Sequence, residues 1–208
     1  MSSYYQAERI RKPSWFKVGP LRRGRPKRAP YVIGFDSEAD TDGSPFLYQF
    51  AHPDGRVDFV DIGRKKGESF RAFIRYLFDN CKRKDVEYVV YGFNLQYEYT
   101  QIFRDIPHEA QTQTEFTLYY PSGDCPYVLR AMNDKRYSFT IEYGGTKRRV
   151  RVVDAFAFFH TSLADAAKVV GAAPKLGKPK RFGRVARHDD DFVEYARRDA
   201  VADRKSVV

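Results

Sequence analysis

From Tyr31 onward the chain alternates short apolar runs with turn residues, and the period of each run predicts its element. Tyr31-Val-Ile-Gly-Phe35 is a continuous apolar run that reads as a buried strand. Pro45 to Phe50 and Val57 to Ile62 follow as strands, punctuated by Asp42-Gly43 and Asp54-Gly55 turns. Phe70, Phe73, Ile74, Leu77, Phe78 and Cys81 then recur at three- and four-residue spacing, which predicts an amphipathic helix from Glu68. Glu87 to Tyr91 is a strand closed by Gly92, and Leu95 to Phe103 a second helix. Residues 115–154 are rich in β patterns: Phe116 to Tyr120, Tyr127 to Ala131, Tyr137 to Tyr143 and Arg149 to Val153, with Gly144-Gly145 as a hairpin turn. A short helix over Ser162 to Val170, N-capped by Ser162, precedes a Lys/Pro/Gly-rich loop at 171–187 and a final helix from Asp190. No internal repeat is visible. The order is that of an α/β fold with a mixed sheet; it fits an RNase H-like core flanked by helices and carrying a β-hairpin-rich insert, while order alone leaves several α/β folds standing.

Charge separates the chain into two parts. Residues 1–30 carry nine basic residues and one acid, whereas the remaining 178 carry 28 and 26. The first part reads as a basic arm suited to a polyanion or serving as a flexible, solubilising leader, and residues 31–208 read as the folded domain. Length fits one domain, and 33 aromatic residues among 208 are enough to build a core. No membrane-length apolar run or secretory leader is present. Cys81 and Cys125 make neither a disulfide framework nor a zinc knuckle, and the expectation is a soluble, cytoplasmic protein.

Three places concentrate oxygen ligands suited to Mg²⁺ or Mn²⁺. Asp36 and Glu38 lie at the end of the first apolar strand and, by alternation, share one face; otherwise they belong to an acidic turn leading to Asp40 and Asp42. In Gly92-Phe93-Asn94-Leu95-Gln96-Tyr97-Glu98, Asn94 is placed to cap the second helix. Glu98, a turn later, faces the same cleft or is a surface acid near a helix start. On the last helix, Tyr195 and Asp199 share a face, either as a functional pair or as an ordinary surface one. The histidines His52, His108, His160 and His188 form no metal pattern.

Taken in order, Asp-x-Glu, Asn-x-x-Tyr-Glu and Tyr-x-x-x-Asp resemble the three exonuclease motifs of the tyrosine branch of the DEDD superfamily. The resemblance is greatest to the 3′→5′ proofreading domain of family B DNA polymerases of the protein-primed type, found in phages and linear plasmids. Val152-Val-Asp154-Ala-Phe156, Ser162-Leu-Ala164 and Ala167-Lys168 also resemble that family, and the likeness extends from residue 31 to about 205. It implies hydrolysis with two Mg²⁺ or Mn²⁺ ions, releasing nucleoside 5′-monophosphates from single-stranded DNA or frayed 3′ ends. Asp36 would bridge both ions, Glu38 and Asp199 would hold the ion carrying the attacking water, Glu98 would hold the other, and Tyr195 would orient the water. Phe93 and Tyr97 would stack on terminal bases and Asn94 would contact sugar or phosphate. Lys175 and Lys178 both match the family's loop lysine that assists catalysis, and the choice between them stays open. Lys180 and Arg181 in that loop, and Lys147, Arg148, Arg149 and Arg151, would face phosphates, the loop being alternatively a solvated one.

The departures from the pattern are Glu98 where Asp is usual, and Ala39 and Ala155 where hydroxyl residues are common. Glu194 stands where the sister branch has His. The sequence stops nine residues past Asp199, without polymerase modules. The expectation is therefore a free-standing relative, or a domain that works with a polymerase module or another replication protein. The competing readings are a non-catalytic nucleic-acid-binding module and an exoribonuclease of the same superfamily.

Overall fold

The computed structural model describes residues 29–106, 108–111, 113–119, 128–133, 137–144, 148–156, 161–169, 171 and 176–205. The basic arm up to residue 28, Lys147, Lys175, Cys125 and Gly145 lie outside the described residues.

The described strands join in one mixed sheet of eight, in the order β3-β2-β1-β4-β8-β7-β6-β5. β1 (Tyr31–Ala39), β2 (Pro45–Ala51) and β3 (Val57–Asp61) form an antiparallel meander. β4 (Tyr88–Gly92) pairs parallel to β1, and β8 (Arg149–Asp154) parallel to β4. This five-strand arrangement is the RNase H-like core. β5 (Glu115–Tyr119), β6 (Val128–Asn133) and β7 (Phe139–Tyr143) extend it by antiparallel pairing beyond β8, and they constitute the hairpin-rich insert.

The helices are α1 (Glu68–Asn80), α2 (Gln96–Phe103), the four-residue α3 (His108–Gln111), α4 (Leu163–Val169) and α5 (Asp190–Lys205). A 3₁₀ turn at Arg184–Ala186 precedes the last. Neither α3 nor the 3₁₀ turn has the length to show a period in sequence, and neither is expected from it. Among the described residues no helix is long and apolar enough to cross a membrane.

Alternation along β1 and β2 divides the core between the two faces of the sheet. Ile33, Phe35, Tyr48 and Phe50 pack against Phe70, Phe73, Ile74 and Leu77 of α1. Leu47, opposite Glu38, belongs to the cluster on the other face, with Phe46 and with Phe192 and Ala196 of α5. The face that carries Asp36 and Glu38 is therefore the one α5 covers.

Two sequence expectations are corrected. β1 does not stop at Phe35 but runs through the acidic motif to Ala39, because β2 continues to pair with it as far as Ala39 opposite Pro45. Pairing with β4, by contrast, ends at Gly34 opposite Tyr91. Asp36 and Glu38 thus project from a two-stranded tongue that overhangs the end of β4. Asn94 is not the cap of α2: that position is Leu95, with no side-chain cap, and Asn94 takes a left-handed backbone with φ 59°. The expected cap of α4 does form, with the Asp165 N–H donating to Ser162 Oγ and the Ser162 hydroxyl donating back to Asp165.

Candidate metal centre

Three carboxylates meet under the overhang. Asp36 and Glu38 from β1 and Asp199 from α5 each place an oxygen within 4.8 Å of the others. Asp199 and Glu38 are buried, at 1% and 6% exposure, and Asp36 is half-buried. The Ser37 backbone N–H donates to Asp36 Oδ1 at 2.8 Å and orients that carboxylate.

Like charges this close repel unless a cation lies among them, and three hard oxygen donors are the set that Mg²⁺ or Mn²⁺ prefers. Gln49 gives a second sign that the residues fit a metal. It stands directly across the strand pair from Asp36 on the same face, is fully buried, and neither of its amide atoms has a hydrogen-bonding partner among the described residues. A buried amide left this way is costly, so its place beside the carboxylates suits a polar occupant.

The Tyr195 ring packs on Phe182 and Phe192, with centroids 6.1 and 6.4 Å away, one helical turn before Asp199. Burial first, then the charges of Glu38, Asp199 and Asp36, hold this phenol well above its usual pKa. It is a proton donor in this setting, not a base.

The second motif reaches the centre from the side. At Gly92 a Cβ would run into the Leu95 side chain and press on the Phe35 carbonyl at 3.1 Å, so glycine is what lets β4 turn into α2 this tightly. Glu98, on the first turn of α2, is 7% exposed and lines a cleft of about 370 Å³ with Asp36, Phe93, Asn94, Tyr97 and Phe156. It lies outside the tight group of three. Burial, then Asp36 and Asp154, push its carboxyl above the ordinary range, and its Oε2 is buried without a hydrogen-bond donor among the described residues.

Asp154, at the end of β8, fixes the left-handed turn before α2. Its Oδ1 accepts the backbone N–H of Asn94 and that of Phe156, both at 2.9 Å. The Phe156 ring then meets Phe93 edge-on at 5.7 Å. Tyr97 is 42% exposed at the mouth of this cleft, and Asn94 is exposed.

The basic residues divide. Lys178 is exposed, with Nζ 3.8 Å over the Phe182 ring whose other neighbours include Tyr195. Lys180 is exposed on the same loop, and Arg181 pairs with Asp189 at 3.0 Å. Arg148 is not brought to the centre. It precedes β8 at the end away from Asp154 and lies 4.4 Å over Phe78, near the C-terminal end of α1. Arg149 pairs with Glu142 and Arg151 with Glu87, so this basic strip is engaged with neighbouring acids.

Sequence reasoning missed Gln49 and the bonding role of Asp154. A lone Gln in an apolar strand carries no chemical signature, whereas its position opposite Asp36, in a strand that pairs with the acidic motif, is a signal available only once register is known.

No family model matches this chain, and no curated protein matches it. Solved structures of DNA polymerases are among those that resemble it. Phi29 DNA polymerase complexed with single-stranded DNA gives a TM-score of 0.48 at 12% identity, covering 84% of this chain and 30% of that one. The same polymerase with primer-template DNA and incoming nucleotides gives 0.48 at 12%, covering 85% and 30%. The family B DNA polymerase of the hyperthermophilic archaeon Pyrobaculum calidifontis gives 0.46 at 15%, covering 86% and 24%. The chain spans less than a third of the length of these polymerases.

Proposed function

We propose that the protein is a metal-dependent 3′→5′ exonuclease that removes nucleoside 5′-monophosphates from single-stranded DNA. The observation that carries this reading is the convergence of Asp36, Glu38 and Asp199, with Tyr195 one helical turn before Asp199 and Glu98 buried in the cleft that Asp36 lines. Residues 31–208 are the nuclease unit in this reading, and residues 1–30 a basic arm that holds the polyanion. A polymerase module or another replication protein is its natural partner.

Asp36, Glu38 and Asp199 would hold one divalent cation, with Asp36 and Glu98 facing a second position across the cleft. Bound Mg²⁺ or Mn²⁺ would supply charge neutralisation at the scissile phosphate and a bound water more acidic than bulk water. The chain does the positioning. Tyr195, one turn before Asp199 and kept protonated, would orient the attacking water. Ser37 N–H holds Asp36 in one orientation. Asp154 fixes the Asn94 turn and, through it, the start of α2 and Glu98. Phe93, Phe156 and the exposed Tyr97 give the terminal base flat surfaces against which to lie, with Asn94 at the sugar and phosphate. Lys178 is the loop lysine among the described residues that stands over the Phe182–Tyr195 pair.

The test is digestion of a 5′-labelled single-stranded DNA oligonucleotide with Mg²⁺ or Mn²⁺, beside its RNA twin and the Asp36→Ala variant. The expected result is a ladder shortening from the 3′ end of the DNA and absent in the variant. Preferential loss of the RNA would reassign the substrate, and binding without cleavage under either metal would overturn the enzyme reading.

A further inference from the structure

A second cleft of about 350 Å³ lies on the same rim of the sheet, on the insert; no residue of the three motifs lines it, though Tyr99 of α2, one past Glu98, does. Its back wall is fixed. The Tyr99 hydroxyl donates to Asn133 Oδ1 at 3.0 Å, and Asn133 Nδ2 donates to the Gln111 and Gln113 carbonyls at 2.8 and 2.9 Å. The Tyr99 ring is held by Phe103 and Phe139, with centroids 4.5 and 5.7 Å away. Against this wall leans Tyr137, its ring 5.7 Å from that of Tyr99 and 42% exposed.

Tyr137 has φ 59°, a left-handed backbone that a bulky side chain adopts only under strain. The turn would form more easily with glycine, so an exposed aromatic ring is retained there against the preference of the backbone. Among the described residues the walls of this cleft are phenols, amides and hydroxyls. Such a lining suits an unpaired nucleobase, with its π-face and hydrogen-bonding edge.

The cleft is also tied to the first one. Ser138, next to Tyr137, accepts the Asp154 N–H on its Oγ at 3.0 Å, and Asp154 in turn holds Asn94 and Phe156 of the terminal-base cleft. From β1 to β7 is three strand spacings, about 15 Å, which is about four nucleotides of stacked strand.

We propose that the Tyr137–Tyr99 cleft is a second nucleobase site, which stacks an unpaired base about four nucleotides from the 3′ end held at the carboxylates. This rests on the exonuclease reading for the placement of the 3′ end. Binding is therefore measured apart from cleavage, by fluorescence anisotropy of 5′-fluorescein dT12 and dT3 with the whole chain and Ca²⁺ in place of Mg²⁺.

Tyr137→Gly removes the ring and relieves the backbone. It should weaken dT12 about five- to 150-fold, the range one aromatic–base stack supplies. It should leave dT3 binding unchanged and the Tm no lower than wild type by more than about 3 °C. Tyr137→Phe should restore dT12 affinity. A dT12 carrying an abasic spacer at the fourth and fifth positions from its 3′ end should bind wild type as weakly as Tyr137→Gly binds intact dT12. The variant and the spacer together should cost no more than either alone. Equal losses on dT3 and dT12, additive losses from variant and spacer, or no loss at all would overturn the site. If these results hold while the nuclease assay gives no ladder, the catalytic reading fails and the base site stands. If the ladder forms and Tyr137→Gly binds dT12 like wild type, the base site alone falls.

Discussion

Asp36→Asn should raise the stability of the metal-free protein while abolishing its response to metal. The three carboxylate oxygens lie within 4.8 Å of one another. At that separation each ionised pair costs about 0.9 kcal/mol in bulk water and about 3.5 kcal/mol at an effective dielectric of about 20. An amide at position 36 removes two of the three pairs, a gross relief of about 2–7 kcal/mol. The wild type can limit its own repulsion by taking up a proton, at about 4 kcal/mol for an ordinary carboxyl at pH 7, so the upper part of that range is not reached. Because Asp36 is half-buried, the low end applies, about 2 kcal/mol, or a Tm rise of about 4 °C or more in EDTA. Asparagine keeps an oxygen that can accept the Ser37 N–H, so that bond does not confound the measurement. Wild-type protein should gain about 2.7 kcal/mol at a Mn²⁺ concentration a hundred times its Kd, and the variant almost none. Thermal denaturation in EDTA and across a Mn²⁺ series reads both effects. A variant that melts lower than wild type in EDTA yet still shifts with Mn²⁺ would show that the carboxylates neither repel one another nor form the cation site.

Gln49→Leu should follow the same crossed pattern more weakly, with a Tm higher in EDTA because a buried, unpartnered amide is gone and with a smaller Mn²⁺ shift; a lower Tm in EDTA would contradict it. Asp154→Ala strips the acceptor from two backbone N–H groups and should cost about 2–4 kcal/mol in urea denaturation, with Asp154→Asn recovering most of that; equal losses in both would point to charge, not hydrogen bonding. His52 is held below its usual pKa by burial first and then by Arg56, against the opposing pull of Asp58. It is therefore neutral in the folded chain while the unfolded chain takes up a proton below about pH 6.5. Stability contributed by the neutral imidazole should be complete above that pH and decline as the pH falls through the folded value, and His52→Gln should flatten the profile in that window. Arg184 donates to the Ile62 and Pro45 carbonyls at 2.6 and 3.1 Å and its backbone N–H to Asp40; Arg184→Ala should lower stability by about 2–3 kcal/mol, and an unchanged urea midpoint would count against that bracing.

What sequence revealed of this fold depended on how local each signal was. The α1 stripe from Phe70 to Leu77 reports its own periodicity, and the helix begins at Glu68 as expected. The extent of β1 is not local. Ser37 to Ala39 are polar or small, and they are strand only because β2 pairs with them. Asn94 fails as a cap for a similar reason: its backbone is shaped by Asp154, sixty residues away. The carboxylates were visible as residue types in order, but order alone does not say that Asp199 would lie beside Glu38 while Glu98 stays outside the tight group. Arg148 shows the converse. A basic cluster in sequence became a set of ion pairs and a ring contact at the opposite end of the strand.

The candidate metal ligands come from two elements separated by almost the whole domain, β1 and α5, with Asp36 and Asp199 163 positions apart. That separation sets a timetable for synthesis. At about 5–20 residues per second, roughly 8–33 s elapse between the ribosome's addition of Asp36 and of Asp199. In that interval Asp36 and Glu38 lack the third member of their set, and α5 does not yet cover their face of the sheet. The three-carboxylate cluster comes into being only when α5 docks. A nascent chain, held beside ribosomal RNA and messenger, thus carries its first two carboxylates without the assembled cluster.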